Sequence, residues 1–230
     1  MSTEKNGSLR DYSKAQLAEE LKPYYDEISQ ELTETQKKKI NFDTFLDDAY
    51  NQLQASKTSA LPFADETFEQ KFESINLAGV SECVVATGVV ILDVFGIIGS
   101  LVGIRTEIVR SATRSILREL GQSTLHGLQA TIRNISKAPN DIEKAREIWA
   151  LFSQLYNAIG KGTIFKAFKD AMPWYEWLKA GVLMVAQITA WFASGGLAFV
   201  ATVALMTVSI VQLVQDCLKA IDTCKDITLA

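Results

Sequence analysis

The sequence predicts an all-α fold: a bundle of roughly seven to nine helices around a central hydrophobic helical hairpin. Three observations predict it. Apolar residues recur at intervals of three and four through most of the chain, the period of a helix with one buried face. Only 4 prolines occur in 230 residues, so long helices are allowed. And the 36 positions from Ala180 to Gln215 hold no charged residue. As one straight helix that stretch would run ~54 Å, well beyond the ~30 Å hydrocarbon thickness of a bilayer. Ser194-Gly195-Gly196 divides it into two arms, Leu178–Ala193 and Leu197–Gln215, of ~24 and ~28 Å. Such arms are apolar all round, so they form either the middle of a bundle or membrane spans.

In chain order, Tyr12 to Lys39 reads as helix, with Pro23 kinking it or starting a second one; Leu17, Leu21, Tyr24, Ile28 and Leu32 make its apolar face. Asn41 or Asp43 caps the next helix, whose stripe is Phe42, Phe45, Leu46, Ala49 and Leu53. Ala55–Pro62 is a loop by composition. A short helix from Asp65 to about Ile75 carries Phe68 and Phe72 one turn apart.

Leu77–Ile104 holds only Glu82 and Asp93 as charges. Its valines and isoleucines suit strands, but no turn signal divides it and its neighbours are helical, so it reads as helix. Asp93 lies among apolar residues and must be paired, protonated or exposed.

From Ile104 an amphipathic helix follows, with Ile108, Ala112, Ile116 and Leu120 on one face and Arg110, Arg114 and Arg118 on another, ending at Gly121. Ser123–Lys137 is a further helix, and Pro139-Asn140-Asp141 opens Ile142–Ile159. Gly160–Thr163 is a break. Its likeness to a phosphate loop fails, because Leu155 stands at the first required glycine and Gly162 where Ser or Thr should follow the lysine. A short amphipathic helix with Phe165 and Phe168 leads to Pro173 and the hairpin.

The whole chain, 1–230, reads as one domain, with residues 1–10 disordered and 178–215 as the hairpin. A net charge of −4 covers two unlike halves: 1–76 is acidic by 6 and 105–179 basic by 5. They pair within one fold, or the basic half faces an anionic surface. The first residues lack the basic and apolar regions of a secretory signal, which predicts a soluble product released or exported by a non-Sec route and acting at a target-cell membrane. Cys83, Cys217 and Cys224 show no metal-type spacing and read as buried free thiols; Cys217 and Cys224, ~10 Å apart along one helix, are too distant to bridge. His126 has no acidic or cysteine partner nearby in sequence.

No nucleophile, zinc or dinucleotide motif occurs, so the chain reads as a non-enzyme with no catalytic residues, no metal, no cofactor and no small-molecule substrate. A short arginine stripe in a chain of pI near 5.2 argues against nucleic acid. Arg110, Arg114 and Arg118 are either a solvated face or an anionic-surface contact. The entrance to the hairpin is different: Trp174, Tyr175, Trp177 and Lys179 are the residue types that anchor at a membrane interface. Within the hairpin, Leu183, Val185, Ile188, Trp191, Phe192, Gly195, Gly196, Phe199, Val203, Leu205 and Ile210 are the candidate insertion residues. Its tip, Trp191–Gly196, carries no charge to oppose entry.

An uncharged hairpin at 180–215, followed by the short amphipathic tail Asp216–Ala230 in an all-helical chain, resembles the pore-forming domain of colicins. Leu77–Ile104 has no counterpart there and is similar instead to apolar segments of other α-helical pore-forming toxins. The resemblance implies a soluble form in which amphipathic helices wrap the hairpin. At a bilayer that form opens, the hairpin inserts, and cytolysis follows, with a self-oligomer or a partner subunit taking part. Two other readings stay open: a helical protein-interaction module whose hairpin never leaves the core, and a constitutive membrane protein. If the hairpin is central, Tyr12–Lys39, Ile104–Leu120 and Ile142–Ile159 ring it, the Ser194–Gly196 turn packs loosely, and a charge at Val200 or Leu205 prevents folding.

Overall fold

A computed structural model describes residues 9–55, 63 and 65–225. Most of the disordered segment expected at 1–10, the loop expected at 55–62 and the last residues of the tail lie outside the described residues. Those described contain α-helices and one 3-10 turn, Leu9–Asp11, and no strand. The helices are α1 (Lys14–Ser29), α2 (Glu34–Lys37), α3 (Phe42–Ala55), α4 (Phe68–Ile75), α5 (Glu82–Val102), α6 (Thr106–Glu119), α7 (Gln122–Lys137), α8 (Asp141–Ile159), α9 (Lys161–Asp170), α10 (Trp174–Ala193), α11 (Leu197–Val203) and α12 (Thr207–Thr223). Twelve helices exceed the predicted number. Residues 12–39 divide into α1 and α2, and the second hairpin arm divides into α11 and α12.

Short-range signals set most helix starts. Ser13 and Gln16, Thr33 and Gln36, and Thr67 and Gln70 each form a capping box: the hydroxyl accepts from the third helical N–H and the glutamine accepts from the cap N–H. Asn41 accepts from the Thr44 N–H and Asn140 from the Glu143 N–H. Pro23 sits inside α1, which continues through it, and Tyr25 rather than Tyr24 completes the fully buried face.

α5 is the centre of the molecule. Eighteen of its residues, from Cys83 to Val102, are buried, and α3, α4, α6, α7, α8, α10 and α12 all pack on it. At 21 residues it spans ~32 Å. Gly103 ends it at φ 74°, and the Ile104 N–H reaches back to the Gly99 carbonyl at 2.8 Å. Gln52 Nε2 donates to the Val102 carbonyl at 2.6 Å, and a Cβ on Gly103 would meet that glutamine.

The predicted hairpin is rearranged. α10 packs on α1, α3, α5 and α9, so one arm is internal. Beyond the turn the chain bends by 113° into α11. α12 then lies along α5 and α7 instead of returning along α10. The cause is its pattern: Ile210, Leu213, Cys217 and Ala220, at helical spacing, are its buried face, whereas Thr207, Val208, Val211 and Gln215 face water. A one-sided helix takes a flank, and the all-round apolar α5 takes the middle. Leu9, within the segment read as disordered, is buried, and its N–H donates to Gln187 Oε1 on α10 at 3.0 Å. The acidic and basic halves pair within the fold through Arg110 with Glu66, Lys169 with Glu31 and Lys179 with Asp48.

Candidate membrane-insertion segments

Among the described residues, α5 is the single helix long and apolar enough to cross a membrane, and α10 with α11 qualifies only as a bent pair. Both segments are wrapped by amphipathic helices: α4, α6 and α7 lie against α5, and α1 and α9 against α10.

The structure places the candidate hairpin residues in three settings. Leu183, Val185, Ile188 and Trp191 on α10, Phe199 and Val203 on α11, and Ile210 on α12 are buried. Phe192 is half-buried, with its ring centroid 4.8 Å from those of Trp149 and Tyr156. Leu205 is 86% exposed, in the break between α11 and α12. That overturns the expectation that a charge at Leu205 prevents folding; Val200, 9% exposed, keeps it. The turn is also tighter than expected. Gly195 and Gly196 hold φ of 61° and 86°, and a Cβ on Gly196 would lie 2.2 Å from Trp149 Nε1. Ser194 Oγ accepts from the Ala198 N–H at 3.2 Å, joining the turn to α11.

Leu205 is not isolated. Leu197 (69% exposed), Val208 (62%) and Val211 (48%) are also open to water, along a stretch with no charge from α10 to Gln215. The sequence marks these residues as apolar, but the bends that expose them carry a glycine signal only at Gly195 and Gly196.

The candidate anchors and cations are mostly engaged. Trp177 is buried, Trp174 half-buried and Tyr175 exposed. Lys179 pairs with Asp48 at 2.9 Å. Arg110 pairs with Glu66 and lies over the Phe63 ring, 4.9 Å from its centroid. Arg114 donates to the Ser74 carbonyl at 2.8 Å, and Arg118 is exposed. Two of the three arginines thus hold α6 against the segment around α4.

Two clasps hold α5 that sequence reasoning missed. Lys71 on α4, fully buried, donates from Nζ to Asp93 Oδ1 at 2.7 Å and to Asp216 Oδ2 at 2.6 Å. The cluster joins α4, α5 and α12. Burial pulls the Lys71 pKa down, but the Asp93 and Asp216 carboxylates outweigh it and hold the ammonium above its ordinary value. Burial, with the same two carboxylates, pushes the Cys217 thiol well above its ordinary value, so it stays protonated and inert. The only sequence hint was Asp93, a charge in need of a partner.

The second clasp is a disulfide between Cys83, in the first turn of α5, and Cys224, just past α12. It corrects the reading of three free thiols; Cys217 alone is free. Spacing within one helix was the wrong test, because the bonded pair is 141 residues apart with Cα atoms at 4.8 Å.

No group of His, Cys, Asp or Glu side chains suited to a metal ion occurs among the described residues. No protein-family model matches the chain, and comparison with curated proteins and with solved structures found no similar protein.

Proposed function

We propose that the protein is a non-enzymatic α-helical pore-forming protein that converts from a water-soluble bundle to a membrane-inserted state. It is toxin-like in action, with a lipid bilayer as its partner, and inserts α5 and the bent pair α10–α11. The observation that carries the reading is the uncharged corner at 197–211, in which Leu197, Leu205, Val208 and Val211 all face water. Four large apolar side chains exposed within fifteen residues of chain are more than the single exposed residues of an ordinary surface, and exposed apolar surface is where contact sites form. Here no charge within the 36-residue stretch opposes its entry into lipid. At a bilayer, lipid replaces the amphipathic cover, so α5 and α10 have two acceptable solvents. The disulfide fits export to an oxidising compartment.

An interaction module with permanently buried helices explains the burial of α5 but gives the exposed corner no role unless a partner protein covers it. A constitutive membrane protein would set α5 against lipid, whereas here amphipathic helices enclose it. Flotation with liposomes separates the proposal from the interaction module, and solubility without detergent separates it from the constitutive membrane protein. The wild-type protein is expected to float with the vesicles and to stay bound in high salt, because apolar insertion is not screened. A protein that stays in solution with vesicles of every lipid composition tested overturns the proposal.

A further inference from the structure

Building on that reading, we propose that α5 lines the conducting path through a polar stripe of Glu82, Asp93 and Ser100, so that the pore passes cations in preference to anions. Glu82 and Asp93 are three helical turns apart, and Asp93 and Ser100 two, so at 3.6 residues per turn all three lie within ~20° of one line along α5. Thr87 lies well off this line; its hydroxyl donates to the Cys83 carbonyl, as that of Ser100 donates to the Ile97 carbonyl, so position and not hydrogen bonding separates the two. The opposite face is Val84, Ile91, Phe95 and Val102, which suits lipid.

Asp93 sits at the middle of the 21-residue helix. In the folded protein it looks onto α4 and α12, where Lys71 neutralises it and Asp216 shares that ammonium. Lys71 belongs to α4, an eight-residue helix that also carries Glu69 and Glu73, and such a helix does not follow α5 into lipid. Insertion therefore parts Asp93 from its counter-ion at mid-depth. A carboxylate there faces a protein interior or water, and in a pore built from several copies of α5 the water is the conducting path. Acidic side chains around such a path attract cations and exclude anions.

The test is the reversal potential of wild-type and variant channels in planar bilayers under a KCl gradient. The wild type is expected to reverse on the potassium side of zero. Asp93→Asn should move the potential toward zero, and Ser100→Asp should move it further to the potassium side. Val84→Asp, with its charge on the opposite face, should leave it in place. Ser100 is half-buried in the folded protein and Asp93 is buried, so the Ser100→Asp arm stands even if Asp93→Asn does not fold. Channels whose selectivity ignores both Asp93→Asn and Ser100→Asp overturn the stripe while leaving the pore reading intact. A wild-type protein that gives no conductance overturns both.

Discussion

Cys83 and Cys224 are joined across 141 residues of chain, and the bond fastens the first turn of α5 to the end of the helix that flanks it. Loop closure in the unfolded chain makes so long a span strongly stabilising, and removing a natural disulfide typically costs about 2–5 kcal/mol. Cys224→Ala is therefore expected to lower the thermal midpoint well below wild type and to speed membrane conversion. Thiol titration gives a direct check. The unreduced, denatured protein should expose one thiol, Cys217, and the reduced protein three.

Lys71 holds two carboxylates that have no other cation beside them in the cluster. Lys71→Met leaves Asp93 and Asp216 buried and uncompensated, which is expected to cost about 3–5 kcal/mol. Adding Asp93→Asn and Asp216→Asn to the same chain should recover much of it. The pH dependence has a definite sign. The folded Lys71 pKa lies above its ordinary value of ~10.4, so its contribution is complete below that pH and is lost as pH rises through the folded value. Urea unfolding from pH 8 upward should show this alkaline loss in wild type.

The helical class was legible because its signals are local. The three-and-four stripes and the starts at Asn41 and Asn140 lie within one or two turns of sequence, whereas the capping box at Thr33 that splits 12–39 into α1 and α2 went unread. The layer order was not. Hydropathy marks both 77–104 and 180–215 as apolar, but which takes the centre depends on what packs around each, and the one-sided spacing of Ile210, Leu213, Cys217 and Ala220 was the available clue that α12 is a flank. The break at Ala204–Met206 contains no glycine or proline, so the exposure of Leu205 could not be read. Asp93 announced a missing partner, yet Lys71 and Asp216 reach it only through tertiary packing.

Leu205 and Val203 are two residues apart and face opposite environments, 86% and 0% exposed. Leu205→Glu is expected to change stability by no more than ~0.5 kcal/mol, as surface substitutions do. Val203→Glu puts a carboxylate into the core and should cost several kcal/mol or prevent folding, of order 3 or more. Thermal melts of the two variants check the corner's placement. Flotation of Leu205→Glu then isolates its role at the membrane, because a fully folded variant that binds liposomes poorly has lost contact with lipid and nothing else.

Release of an entrapped dye from liposomes, followed across pH and lipid composition, tests membrane conversion most directly. The wild-type protein is expected to empty vesicles of at least one composition. Leu205→Glu, equally stable, should release dye more slowly under the same conditions. A wild-type protein that binds no vesicle and releases no dye at any pH or composition would contradict the account, and the interaction-module reading of the exposed corner would take its place.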